Sequence, residues 1–206
     1  MLTATAEKFG IPLQPYGVGE PCSDWIEIKV TRLLKKLREL QADGYTHVLY
    51  TDGRDSLFAS DPNTIGASYG LYCPRPPCLI SGEENCYPCS EFASLFLPTK
   101  TGRDFPCAGQ FIGEIDWILE KWQELQERYA GKVENNDQAW IIHGVVDGVL
   151  GGMRIDTHCN VFINIQQPCD PTAIRSSVWH FSGGFMDPET GREERMRPYF
   201  DAIMSK

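Results

Sequence analysis

Asp52 and Asp55 stand three positions apart, separated by Gly53 and Arg54, directly after the apolar run His47-Val48-Leu49-Tyr50-Thr51. The run reads as a buried strand and the residues after it as a loop, and carboxylates at the carboxyl end of such a strand point into the ligand crevice of an α/β sheet. Two carboxylates aimed at one point suit a hard divalent ion, Mn²⁺ or Mg²⁺, that keeps open positions for substrate phosphates. Aspartates after a strand also serve as turn formers and helix caps, so the chemical reading needs a third ligand. His180 is a candidate for it. It ends the run Ser177-Val178-Trp179 and precedes Ser182-Gly183-Gly184, a stretch whose backbone amides can approach a diphosphate. The alternative for a lone histidine is a satisfied core residue.

A second constellation is made of thiols. Cys73, Cys78, Cys86 and Cys89 follow one another at spacings that a structural Zn²⁺ could use, with unligated cysteines as the alternative reading. Residues 73–110 hold five of the cysteines and six of the prolines, which predicts a Cys/Pro-rich insertion of irregular structure around one short strand, Leu79-Ile80.

The elements that must position these groups follow from periodicity. Asp24 and Glu27 read as a capping pair, and Ile26, Val30, Leu33, Leu34, Leu37 and Leu40 recur at helical spacing, predicting a helix over residues 25–41. Ile115, Ile118, Leu119, Trp122, Leu125 and Tyr129 predict a second helix that closes before Gly131, and Asp137 to Val146 a third. Residues 153–156, 161–165 and 177–181 read as strands, whereas the tail from Asp187 onward shows no evident packing partner. Strands separated by helices point to a mixed α/β sheet.

The 206 residues, 42% of them hydrophobic, suit one domain spanning the chain. A net charge of −9 argues against a broadly basic nucleic-acid-binding surface, although Arg32, Lys35, Lys36 and Arg38, with Arg192, Arg195 and Arg197 in the tail, could supply local basic residues. The opening MLTATAEKFG has no basic start followed by an apolar core, and no stretch approaches the roughly 18 apolar residues of a membrane span, so a cytoplasmic protein without membrane contact is expected.

Taken in order, the segments YTDGRDSLF, ISGEENCYP, CAGQFIGE, NNDQAW, IDTHCNVFINI and WHFSGG resemble the glycosyltransferase domain of collagen lysyl hydroxylases and the related procollagen galactosyltransferases, over about Glu7 to Gly184. The resemblance implies a single-domain GT-A fold, a Rossmann-like mixed sheet flanked by helices. It places Asp52, Asp55 and His180 as Mn²⁺ ligands of an Asp-x-x-Asp site, and Asp137 and Gln138 beside the sugar as catalytic candidates. Lys29 falls where the family has a lysine that could neutralise the diphosphate, a solvated helix lysine being the alternative. Thr51, Arg54, Gly109 and Gly183 fall on the nucleotide side. Three departures stand out: Arg54 replaces an aromatic residue suited to stacking on the base, Asn135 and Asn136 replace acidic residues before Asp137, and the usual first strand is lacking or reduced to Leu2 and Thr3.

The implied function is a metal-dependent hexosyltransferase that moves a sugar from a nucleotide donor, a UDP-sugar, to a hydroxyl on a macromolecule. A hydroxylysine-type protein and a hydroxymethylated DNA base, as in phage DNA, are both open as acceptors. The competing reading is a zinc-stapled, non-enzymatic binding module in which the aspartates form a turn and His180 is core.

Overall fold

The computed structural model describes residues 1–19, 26–72, 74–182 and 191–206. Two small sheets carry the site. In the first, β1 (His47–Thr51) pairs antiparallel with β4 (Phe105–Glu114), β4 pairs antiparallel with β3 (Cys78–Glu83), and β3 pairs parallel with β5 (Arg154–Asp156), giving the order β1-β4-β3-β5. In the second, β7 (Val178–His180) lies between β2 (Ser56–Phe58), antiparallel to it, and β6 (Phe162–Asn164), parallel to it.

Helices cover the sheets as the apolar spacing requires. A wide-wound π-helical turn, Glu27–Arg32, runs into helix α2 (Leu33–Ala42), which packs on α4 (Ile115–Tyr129). Leu33, Leu34, Leu37 and Leu40 on one side meet Ile115, Ile118, Trp122 and Leu125 on the other in the main core. Helix α5 (Asp137–Val146) backs onto β4. Residues 2–8 and 62–70 form helices α1 (Leu2–Lys8) and α3 (Pro62–Gly70), which close a second core with Phe58, Leu79 and Phe162. Leu2 and Thr3 are therefore helical rather than a remnant strand.

The expectation of irregular structure over residues 73–110 is corrected in part. The segment contributes all of β3 and the first half of β4, the two inner strands of the first sheet, and its irregular parts are residues 74–77 and the stretch between the two strands, with a 3-10 turn at Ser90–Leu95. Eight of the ten residues of β4 are buried, because both sheet faces are covered, so the alternation that marks a half-exposed strand is absent. The tail also finds a partner: helix α6 (Arg192–Met204) sets Met196, Tyr199 and Ile203 against Trp179 and Phe181.

One irregularity of β4 matters for the site. Its register with β3 passes from Ile80 opposite Phe111 directly to Ser81 opposite Cys107, so Ala108, Gly109 and Gln110 have no β3 partner. Such a bulge re-aims backbone and side chains, and here it places Ala108 and Gly109 on the wall of a cleft. Among the described residues, no helix is long and apolar enough to cross a membrane.

Candidate active site

A cleft of about 480 Å³ opens at the end of β1 and is lined by Lys29, Asp52, Asp55, Glu83, Asp137 and His180, with Gly109 and Gln138 among the remaining walls. Asp52, Asp55 and His180, more than 120 residues apart along the chain at the extremes, each offer one ligand atom, and these atoms lie within 4.8 Å of one another. His180 Nε2 stands 3.8 Å from Asp52 Oδ2 and 3.6 Å from Asp55 Oδ1.

Local pairing explains the convergence. Asp52 leaves β1 with its amide donating to the Gly109 carbonyl at 2.9 Å. The loop returns as β2, whose first residue, Ser56, pairs with His180, and the Phe181 amide donates to the Asp55 carbonyl at 2.8 Å. Thr51 and Ser56 close the base of the loop through their hydroxyls, 2.6 Å apart. Strand β7 is thus hydrogen-bonded to the aspartate loop itself, and the third candidate ligand is delivered by the ladder.

The imidazole is held on two further sides. Its Nδ1 is 3.7 Å from Cys107 Sγ, which leaves Nε2 toward the carboxylates. Beneath the ring lies Gly109, where a β-carbon would come within 2.8 Å of Nε2. Two oxygens and an imidazole nitrogen are a donor set that Mn²⁺ or Mg²⁺ accepts with positions to spare.

Charge is concentrated around Lys29, whose ammonium lies 2.9 Å from Asp52 and 3.3 Å from Asp137. Burial works to lower its pKa, but the two carboxylates outweigh it and hold the ammonium above the usual lysine range. Asp137 is raised above the usual carboxylate range by burial, an effect that Lys29 opposes. Helix α5 presents it in its first turn, where Asn136 caps the helix by accepting from the Gln138 and Ala139 amides. Asn136 thus serves as a cap where the acidic run would stand.

The structure brings Lys29, Gly109, Asp137 and Gln138 into the cleft with the three candidate ligands, and it sets other predicted residues apart from it. Thr51 is a clamp on the loop, sharing its hydroxyl with Ser56 and Gln110, and Arg54 is exposed outside the cleft lining. Gln138 spends its carboxamide on the wall, accepting from the Ala108 amide and donating to the Pro106 carbonyl and to Glu83. Gly183, Cys73 and Asp24 lie outside the described residues.

The four-cysteine zinc set is corrected on its described members. Cys78 starts β3 and packs in the main core, whereas Cys86 and Cys89 lie beyond the other end of that strand against Ala139 and Ile142. A six-residue strand at about 3.3 Å per residue separates them. Burial raises the pKa of all three thiols, and they form no group able to hold a metal among the described residues.

Glu83 escaped the sequence reading. It is 6% exposed at the end of β3, receives hydrogen bonds from Gln138, Asn164 and Gln166, and its pKa is pushed up by burial to about 8, against the lowering effect of the Gln138 and Asn164 bonds. Its signal lay in ISGEENCYP, where the carboxylate could not be told from the neighbouring Glu84 without knowing the strand's end.

The chain is 27% identical over 188 residues to procollagen-lysine,2-oxoglutarate 5-dioxygenase 1 of Pongo abelii, covering 85% of this chain and 25% of that protein. The chain is also 27% identical over 183 residues to the Bos taurus protein of the same name, covering 83% of this chain and 24% of that protein. The chain spans about a quarter of the length of these curated relatives. Residues 2–179 match the family described as the PLOD GT domain, and the chain therefore belongs to that glycosyltransferase-domain family.

Proposed function

We propose that this chain transfers a hexose from a UDP-sugar to a hydroxyl on a macromolecular acceptor, with Mn²⁺ held by Asp52, Asp55 and His180. The observation that carries the reading is the convergence of those three ligand atoms within 4.8 Å beside the Lys29 ammonium. A divalent ion bound there supplies the Lewis acid that stabilises charge building on the departing diphosphate. Lys29 adds a fixed cation at the same end of the cleft, pre-oriented by Asp52 and Asp137. Asp137, with a basicity raised by burial, orients the incoming hydroxyl and takes up its proton, while Gln138 braces the wall between Pro106 and Glu83.

A hydroxylysine-type protein acceptor is supported by the names of the relatives, which are procollagen-lysine dioxygenases.

A donor screen tests the proposal, with release of UDP or another nucleotide scored for each sugar donor in the presence and absence of Mn²⁺. Mn²⁺-dependent turnover of a UDP-hexose is expected. Failure of every donor in both conditions would overturn the enzymatic reading.

A further inference from the structure

Asp52 offers its two oxygens unequally. Oδ1 receives the Tyr50 phenol at 2.8 Å, whereas Oδ2 faces Lys29 at 2.9 Å and His180 Nε2 at 3.8 Å. Tyr50 is absent from the cleft lining. Its ring stacks on Phe111 with centroids 4.7 Å apart, and Phe111 in turn packs on Trp122 at 5.0 Å. Tyr16 lies on the other side, with its ring centroid 6.4 Å away and a hydrogen bond to the Tyr50 side chain. The phenol is held by its ring stacking and by Tyr16, and it reaches the cleft through its hydrogen bond to Asp52.

Building on the metal site proposed above, we infer that Tyr50 is a positioning residue that makes Asp52 a one-oxygen ligand and thereby biases the site toward Mn²⁺ and Mg²⁺ and against Ca²⁺. The reasoning is one of coordination number. Calcium takes six to eight oxygens and readily uses both oxygens of one carboxylate, whereas Mg²⁺ demands near-octahedral single-atom ligation and keeps several waters. With Oδ1 committed to the phenol, Asp52 offers the ion one oxygen, which denies Ca²⁺ a two-oxygen grip on that carboxylate and leaves a six-coordinate ion positions for a diphosphate. The pairing is absent from the loop motif itself, because Tyr50 precedes the Asp-x-x-Asp and bonds to its first aspartate.

The test compares wild-type protein with Tyr50→Phe, each stripped of metal and titrated calorimetrically with MnCl₂ alone and with CaCl₂ alone. Phenylalanine keeps the stacking on Phe111, and circular dichroism melting checks that the variant is folded. Loss of a hydrogen bond that orients a metal ligand commonly lowers metal affinity by about tenfold. The expected result is a loss of that size for Mn²⁺ with Ca²⁺ binding unchanged or improved, so that the ratio of the two affinities shrinks by about tenfold. Equal weakening of both ions, or no change in the ratio, overturns the role assigned to Tyr50 while leaving the metal site standing. Absence of Mn²⁺ binding by the wild-type protein overturns the metal site as well.

Discussion

The imidazole of His180 lies directly on the backbone of Gly109, the residue whose carbonyl also receives the Asp52 amide. One glycine of β4 thus supports two of the three candidate ligands, and it does so because the bulge frees it from pairing with β3.

Gly109→Ala should therefore push the His180 ring off the shared point. Its β-carbon would stand 2.8 Å from Nε2 and 3.0 Å from Nδ1, closer than carbon and nitrogen tolerate, and the ring is hemmed by Cys107 on its far edge. A Mn²⁺ affinity lowered by about tenfold or more is expected, read by the paramagnetic signal of free Mn²⁺. Unchanged affinity would mean that the imidazole is not a ligand.

Removing the Lys29 ammonium by Lys29→Met leaves Asp52 and Asp137 facing each other without a cation. The metal-free variant should lose roughly 3 kcal/mol of stability, the scale of a broken, mostly buried ion pair. Mn²⁺ supplies positive charge at the same carboxylates, so the gap in melting temperature between variant and wild type should narrow when MnCl₂ is added. A gap independent of Mn²⁺ would separate Lys29 from the metal site.

Glu83 gives a pH dependence with a definite sign. Its folded pKa, about 8, lies above the ordinary value of 4.5, so the folded state holds the proton more tightly than the unfolded state does. The resulting stabilisation is complete below about pH 4.5 and is lost as pH rises through about 8. Glu83→Gln, which cannot titrate, should remove this decline. Denaturant melts of the metal-free proteins between these limits check it, and parallel curves for the two proteins would contradict the burial of an ionisable carboxyl at this position.

The zinc-stapled alternative is also open to measurement. Because Cys78 and the Cys86, Cys89 pair belong to different cores, a strong zinc chelator should leave the thermal melt unchanged, and purified protein should hold less than stoichiometric zinc by elemental analysis. A chelator-induced unfolding would restore a structural role for zinc.

Much of the fold was legible in local pattern. The strand at His47–Thr51 and the helices at Ile115–Tyr129 and Asp137–Val146 stand where apolar spacing and flanking turn residues put them. The convergence of Asp52, Asp55 and His180 was also readable, from motif order, and the cleft unites them. What local pattern could not convey was pairing at a distance. Phe105–Glu114 is a strand because β1 and β3 flank it, and its cysteine, glycine and glutamine resemble loop composition when read without those neighbours. The burial of Glu83 depends on Gln138, Asn164 and Gln166, which arrive from other parts of the chain. Cysteine spacing misled for the same reason, since spacing along the chain does not say that a strand stretches between two of the thiols.

The π-helical turn at Glu27–Arg32 has a consequence for how this chain tolerates insertions and deletions. A π turn holds one residue more than the α-helix it interrupts, and such turns recur at functional sites. Deleting a single residue between Lys29 and α2 would let the segment relax to α-helical winding while leaving the leucine face of α2 in the core. Because the extra residue is what the wider turn absorbs, such a deletion would leave Lys29 on nearly the same side of the helix, toward Asp52 and Asp137, whereas the same deletion within the α-helical winding of α2 would turn every residue before it by about 100°. The wide turn is therefore the place in this segment where one residue can be lost while the cation still faces the cleft.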